Sequence, residues 1–298
     1  MILNASGCLD ALTAPDVARS LDAFVTKTVT LLPREGNAPV RIVETEVGML
    51  NSIGLANPGI DRFLSDVLPR LEELGVPLWV SVGGFCAGEF GELCARVDSH
   101  AEVSVIELNL SCPNVDGPEE SVAELVAAAR RSTRKAIFAK LSPVTLDFDS
   151  AARAAQAAGA DGLSLVNTIR GLALDARTLR PVLSREVGGL SGPALKPIAL
   201  AAVHECYRAT GLPIVGMGGI CTGHDALELV AAGARAVALG TILFSDPAAP
   251  TRIAGELARE LSIRGVSCLD NIRGAAHEPT FSPKPNPQLE VERLTVAR

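Results

Sequence analysis

Ile106-Glu107-Leu108-Asn109-Leu110-Ser111-Cys112-Pro113-Asn114 is the stretch on which the reading of this chain turns. Apolar residues alternate with polar ones as far as Leu110, and the run then becomes a short polar turn. Alternation of this kind predicts a strand. Pro113, which has no N–H to offer a ladder, stops it. The turn carries one thiol, Cys112, between two carboxamides, Asn109 and Asn114. In a barrel or an open α/β sheet, ligands bind at the carboxyl ends of the strands. Cys112 is therefore expected to face a substrate, with Asn109 and Asn114 as hydrogen-bonding partners.

Outward from this strand, the same unit of a short β-rich run and a longer helical pattern recurs along the chain. Strands are predicted at 2–4, 23–27, 78–82, 103–110, 136–141, 162–166, 213–216 and 236–239. Helices are predicted to follow at 14–21, 60–74, 89–98, 119–134, 150–158, 194–210, 224–232 and 251–264. Gly75, Gly159, Gly211, Gly233 and Gly265 stand where helices stop. Within the fourth helix, Val122, Leu125, Val126 and Ala129 share one apolar face. A doubly wound sheet accommodates such alternation, but eight strands with no break in pattern favour closure. The fold class is thus α/β, a single-domain (β/α)8 TIM barrel over residues 1–278. Residues 279–298 hold four prolines between Pro279 and Pro287 and are expected to form an extended tail. Two connections, 28–59 and 167–193, are too long for simple turns. Both leave carboxyl ends of strands and should cover the same mouth as Cys112.

Hydrophobic residues make up 48% and aromatics only 3%, the balance that buried parallel strands and packed helices need. The net charge of −7, with both signs interspersed, argues against a nucleic-acid surface. No apolar run reaches the length of a membrane span, and no signal-peptide pattern precedes the first strand. A cytoplasmic protein without membrane association is expected, its seven scattered cysteines reduced. Cys8, Cys94, Cys206 and Cys268 are expected to be packing residues.

Polar residues gather at the predicted strand ends: Ala5-Ser6-Gly7, Lys27-Thr28, Ser81, Asn109 to Asn114, Lys140, Asn167-Thr168, Gly216 to Gly219, and Gly240-Thr241. Lys27 and Lys140 end otherwise apolar strands. A lysine so placed points into the mouth and needs an anionic or electron-rich partner there. Glycine turns on the last two strands suit a phosphate held by backbone N–H groups, and Gly188-Gly189-Leu190-Ser191-Gly192 can add further donors. None of these strand ends carries a histidine, a carboxylate pair or a metal-type cluster, so glycosidase chemistry and metal-assisted hydrolysis are disfavoured. What remains is a thiol that can act as nucleophile or general base, with carboxamides, two lysines and a phosphate cradle. A phosphosugar lyase or isomerase, with Lys140 forming a Schiff base, fits the same inventory.

Asn109-Leu-Ser-Cys-Pro-Asn114 resembles the active-site signature of class 1 dihydroorotate dehydrogenases. The likeness extends through Asn4-Ala-Ser-Gly7, Lys27-Thr28, Arg34-Glu-Gly-Asn37 and Gly48-Met-Leu-Asn-Ser-Ile-Gly-Leu55. It continues in Asn167-Thr168, Gly188-Gly-Leu-Ser-Gly-Pro193, Gly216-Met-Gly-Gly-Ile220 and Gly240-Thr241. The resemblance implies an FMN-dependent barrel that oxidises dihydroorotate to orotate in the pyrimidine (UMP) pathway. It makes Cys112 the base for the C5 proton, while hydride leaves C6 for flavin N5. It implies that Asn51, Ser52, Ile53, Gly54, Leu55, Asn109, Asn114, Asn167 and Thr168, with Lys27, hold the substrate. It places Lys140 near flavin N1/O2, and it assigns to FMN Ala5, Ser6, Gly7, Lys27, Thr28, Ser81, Asn109, Lys140, Val166, Gly192, Gly218, Gly219, Gly240 and Thr241.

The stretch 167–193 is similar to class 1B, whose members pass electrons to NAD through a partner subunit carrying FAD and an iron–sulfur centre. A homodimer is implied as the building block. Ser81 stands where class 1B usually has asparagine and class 1A tolerates serine. The segment after Asn114 is shorter than in class 1B, and the hairpin that normally precedes the first strand is absent. An FMN enzyme for another dihydropyrimidine, or a non-catalytic flavin-binding subunit, are the alternatives.

Overall fold

A computed structural model of the chain describes residues 1–110, 120–143 and 147–277. Twelve strands occur among them: β1 (Ile2–Asn4), β2 (Phe24–Val25), β3 (Ile42–Thr45), β4 (Gly48–Asn51), β5 (Leu78–Val82), β6 (Val103–Asn109), β7 (Ala136–Leu141), β8 (Gly162–Leu165), β9 (Ile169–Leu172), β10 (Val187–Ser191), β11 (Ile214–Met217) and β12 (Ala236–Leu239). Eight of these form one sheet, in the order β1-β12-β11-β8-β7-β6-β5-β2. Every pairing in it is parallel. A parallel bridge between Leu3 and Ala23 joins the two ends. The sheet is a closed (β/α)8 barrel, as expected.

Period-2 alternation sorts the side chains into two cores. Leu3, Val25, Trp79, Val105, Val215 and Ala238 point inward and fill the barrel. Trp79 and Phe138 meet there, with ring centroids 4.7 Å apart. Gly162 makes room for Phe138: a Cβ at that position would stand 2.4 Å from its ring. The opposite faces of the strands, with residues such as Ile106, Leu108, Leu163 and Leu239, pack against the outer helices.

The helices are α1 (Pro15–Arg19), α2 (Gly59–Arg62), α3 (Leu68–Glu72), α4 (Ala87–Asp98), α5 (Val122–Ser132), α6 (Phe148–Ala157), α7 (Lys196–Thr210), α8 (Gly223–Ala232), α9 (Ile242–Ser245) and α10 (Ala249–Ile263). α5 starts at a capping box of Ser121 and Glu124 and buries Leu125, Val126 and Ala129. Burying each of the two larger side chains stabilises the fold by about 1.5–3 kcal/mol. The single helix expected at 60–74 is α2 and α3 joined by a π turn over Phe63–Val67. Pro69 explains the difference, since it donates no i→i−4 bond and its ring crowds the carbonyl one turn back.

The two long connections hold more order than expected. They contribute a second, antiparallel sheet in the order β3-β4-β10-β9. β3 and β4 form a hairpin from the first connection, and β9 and β10 come from the second. Ser191 pairs with Met49 and Gly189 with Asn51. Gly48 and Gly192 permit this junction, because a Cβ on Gly192 would sit 2.6 Å from the Gly48 Cα. The predicted tail lies outside the described residues.

Candidate active site

A cavity of about 460 Å³ opens at the carboxyl ends of the barrel strands and runs beneath the antiparallel sheet. That volume is in the range of small-molecule and cofactor sites. Nearly all the residues expected from sequence line it. The ends of β1, β2, β6 and β7 bring Ala5, Ser6, Gly7, Lys27, Thr28, Asn109 and Lys140. Beyond β8 come Val166, Asn167 and Thr168, and the first long connection adds Asn51, Ile53, Gly54 and Leu55. Gly192, Gly218, Gly219, Gly240 and Thr241 form one end of the cavity. Cys112 and Asn114 lie outside the described residues.

Ser52 and Ser81 are displaced from the expected role. Both are fully buried, and neither lines the cavity. Ser52 Oγ accepts a bond from Asn37 Nδ2 at 3.0 Å, inside the loop that presents Ile53 to Leu55. Ser81 Oγ meets Thr28 Oγ1 at 3.0 Å. The hydroxyl of Thr28 covers Ser81, so serine at this position stands behind the wall.

The carboxamides form a relay across the mouth. Asn109 Nδ2 donates to Thr28 Oγ1 at 3.2 Å, and Asn167 Nδ2 donates to Asn109 Oδ1 at 3.1 Å. The backbone N–H of Thr168 donates to Asn167 Oδ1 at 2.8 Å. Asn51 Nδ2 donates to the Gly189 carbonyl at 3.3 Å, tying the cavity edge to β10. Three amides are therefore held in fixed orientation before any ligand arrives.

The two lysines are held differently. Lys140 is buried; its Nζ donates to Ser6 Oγ at 2.9 Å and stands 3.5 Å from Glu107 Oε1. Lys27 is half-buried and passes over Gly7. Gly7 has φ +79°, and a Cβ there would come within 2.9 Å of Lys27 Cδ. Glycine is needed both for the turn and for the lysine.

The glycine end is a cradle made of backbone. Gly218 and Gly219 have φ +126° and +75°. A Cβ on Gly219 would stand 2.8 Å from the backbone N of Lys196. Thr241 Oγ1 donates to Ser191 Oγ at 2.8 Å, linking the cradle to the antiparallel sheet. A phosphate fits this end, because no side chain fills the turn and hydroxyls flank it.

Sequence reasoning missed several wall residues. Ile42, Met49, Ser191, Met217, Ile220 and Phe244 line the cavity. Met49 is two residues from Asn51, and Ser191, named only for backbone donors, adjoins Gly192, so proximity in sequence was the available signal. Cys8 and Cys221 also line it. Cys8 also packs against the main core, as expected; the exposure of Cys268 corrects the packing role expected for it, and Cys94 and Cys206 are buried. Burial pushes the Cys8 thiol up, against the pull of Lys140 and Lys27. Burial and then Asp225 do the same to Cys221, against Arg252 and Lys196. Burial dominates at both thiols, the opposite of what activates a cysteine.

Among the described residues no group of His, Cys, Asp and Glu could hold a metal ion. No helix among them is long and apolar enough to cross a membrane.

The family model described as dihydroorotate dehydrogenase matches residues 1–261. A Desulforudis audaxviator protein named dihydroorotate dehydrogenase B (NAD(+)), catalytic subunit, is 45% identical over 264 residues, 86% of each chain. A Listeria monocytogenes protein of the same name is 41% identical, covering 85% of this chain and 86% of its own. A Solibacter usitatus protein provisionally named dihydroorotate dehydrogenase A (fumarate) is 44% identical, covering 83% and 84%. In architecture the chain is similar to the crystal structure of DHODH from Eimeria tenella in complex with ferulenol. That likeness has a TM-score of 0.78 at 24% identity, covers 93% and 85% of the two chains, and speaks for the fold. With the model spanning most of the chain and relatives this similar along nearly their whole length, the chain belongs to the dihydroorotate dehydrogenase family.

Proposed function

We propose that this dihydroorotate dehydrogenase uses Cys112 as the base that takes the C5 proton of dihydroorotate. The electron pair of that C–H bond closes the C5–C6 double bond of orotate as hydride departs from C6. FMN supplies the hydride acceptor when bound. Its phosphate is assigned to Gly218, Gly219, Gly240 and Thr241, and its ring to the stretch between Lys27 and Lys140. Asn51, Asn109 and Asn167, with Thr168 and the loop Ile53 to Leu55, hold the pyrimidine and its carboxylate. Asn114, two residues after Cys112 in the sequence, is assigned to the same set.

The observation that carries this reading is the preassembled relay of Asn109, Asn167 and Thr28 between two lysines. Carboxamides offer both donors and acceptors, as the alternating N–H and C=O groups of a dihydropyrimidine require. The lysines stabilise an electron-rich ring. A Schiff-base lyase needs a lysine with a free amine to attack a carbonyl, whereas Lys140 stands against a carboxylate.

Replacing Cys112 with Ala tests the base. FMN stays bound, and anaerobic reduction of the flavin by dihydroorotate slows by at least a hundredfold, in line with loss of a positioned general base. Undiminished reduction refutes the assignment.

The names of the relatives support NAD as the acceptor and a separate partner subunit. To that subunit we assign FAD and an iron–sulfur centre, and to this chain a homodimer in the cytoplasm. Serine at position 81 and the Solibacter relative support fumarate instead. Orotate formation with NAD that depends on a co-purified subunit decides for the first. Formation with fumarate by this chain alone decides for the second.

A further inference from the structure

Glu107 and Lys140 are the charged residues that the described part of the chain buries, at 1% and 4% exposure. They are paired with each other. Glu107 lies on β6 and Lys140 on the adjacent β7, where Lys140 is level with Asn109 and Glu107 is two residues deeper, level with Phe138. Lys140 lines the cavity, and Glu107 does not. Below them the barrel is apolar, filled by Trp79, Val105 and Ala136, which are in register with one another. Ser164 on β8, level with Lys140, adds a buried hydroxyl with no partner. The interior therefore turns polar at one depth, directly under the cavity floor.

Stability does not explain this layer. Apolar residues of similar volume commonly do as well as a buried ion pair or better. A function does. An ammonium has three donors, and Lys140 directs one to Ser6 and faces Glu107 with another, so its remaining capacity serves whatever occupies the cavity.

We propose that Glu107 is a positioning residue for the reaction: an internal counter-charge that fixes the Lys140 ammonium and sets how much positive field the cavity presents to the bound ring. This rests on the assignment of that ring to FMN. Reduced flavin carries more negative charge than oxidised flavin, so the field at the ring sets the balance between them. Neutralising Glu107 leaves the ammonium uncompensated and favours the reduced form. Neutralising Lys140 leaves the carboxylate and disfavours it. Neutralising both removes the two opposing effects together. Among the described residues, Cys8 beyond β1 interacts electrostatically with Lys140, Glu107 and Lys27, which lies two residues beyond β2. Cys8 and Lys27 are common to every variant and cancel in the comparison.

The test is the two-electron midpoint potential of bound FMN at one fixed pH, together with the affinities of the oxidised and reduced cofactor. Glu107→Gln is expected to tighten reduced relative to oxidised FMN by about tenfold, a rise of about 30 mV for a two-electron couple. Lys140→Gln shifts the ratio the other way, and the double variant returns to within about threefold of wild type, as a coupled pair requires. Glu107→Asp keeps the charge and stays near wild type. A Glu107→Gln potential equal to or below wild type overturns the proposal, as does a double variant displaced as far as Lys140→Gln alone. Should Glu107→Gln not fold, Lys140→Gln and the double variant, which leaves no unpaired charge, decide the matter between them. Wild-type protein that takes up no FMN sinks the flavin assignment itself. Normal uptake with an indifferent Glu107 sinks the counter-charge alone.

Discussion

Ser81→Ala separates direct contact with a cofactor from support given through a neighbour. Ser81 is wholly buried, and its hydroxyl meets only Thr28 Oγ1 among the described side chains, at 3.0 Å. Thr28 Oγ1 also accepts the Asn109 amide, and either hydroxyl can donate in the Thr28–Ser81 contact. Alanine leaves the buried Thr28 hydroxyl without this partner. The cost is about 1–3 kcal/mol. In a chain of this size each kcal/mol lowers the melting temperature by roughly 2–4 °C, so a drop of several degrees is expected. Asn109 also loses the rigid partner that aims it. A loss of about 1 kcal/mol at the substrate corresponds to roughly fivefold weaker apparent affinity for dihydroorotate. FMN affinity should change by less than about threefold, since the phosphate cradle and the lysines are untouched. Thermal melting, FMN titration and rapid-mixing reduction measure the three quantities on one preparation. A tenfold loss of FMN affinity at unchanged melting temperature would refute the reasoning and make Ser81 a cofactor contact.

Gly219→Ala places a side chain on a residue at φ +75°, with its Cβ 2.8 Å from the Lys196 backbone N. FMN affinity is expected to fall by about tenfold or more. Gly265→Ala, at φ +66° with open space around it, should cost stability of about 1 kcal/mol and leave FMN titrations unaltered. Asp225 accepts bonds from Lys196 Nζ, the Cys221 N–H and both donors of Thr222. Burial pushes its carboxyl up, but these bonds together outweigh burial and hold it below the ordinary carboxylate value. A depressed folded-state value means the contribution is complete above about pH 4 and is lost as pH falls through that value. Melting temperatures between pH 6 and pH 3 should therefore fall in wild type and fall less steeply in Asp225→Asn. Parallel curves would show that Asp225 is not the source.

The barrel was legible because each βα unit repeats the same burial pattern, and closure follows from the number of units. Lys27 and Lys140 were legible for a related reason: a charge at the end of a buried strand has nowhere to go except the mouth. The antiparallel sheet was not. The turn at Glu46-Val47 lacks the glycine signature of a tight hairpin. β10 opens Val187-Gly188-Gly189, and glycine is poor in strands. Its pairing partner β4 is distant in the chain, so only tertiary contact selects it. Ser81 shows a different limit. Its place on the strand was right, but whether a hydroxyl reaches the cavity depends on what a neighbouring strand lays over it. Glu107 could have been seen from sequence, since it shares the inward face of β6 with Asn109 and a carboxylate there demands a partner.

These placements also explain why the site needs its second sheet. The barrel alone supplies the lysines, Asn109 and the glycine turns, all fixed by strands that cannot move independently. Asn51 and Gly192 arrive from the long connections, which no barrel strand restrains. Their positions are secured through β10, which pairs with β4 along Met49 to Asn51 and ends at Ser191, bonded to Thr241 of the cradle. Ser191 Oγ in turn donates to the Met49 carbonyl at 3.3 Å. One short strand therefore holds the edge that faces substrate and the turn assigned to phosphate in a single register. A shift of one residue in the β4–β10 pairing would move Asn51 and Ser191 to opposite faces of the sheet, so the glycines that permit this close junction belong to the site as much as the residues that line it.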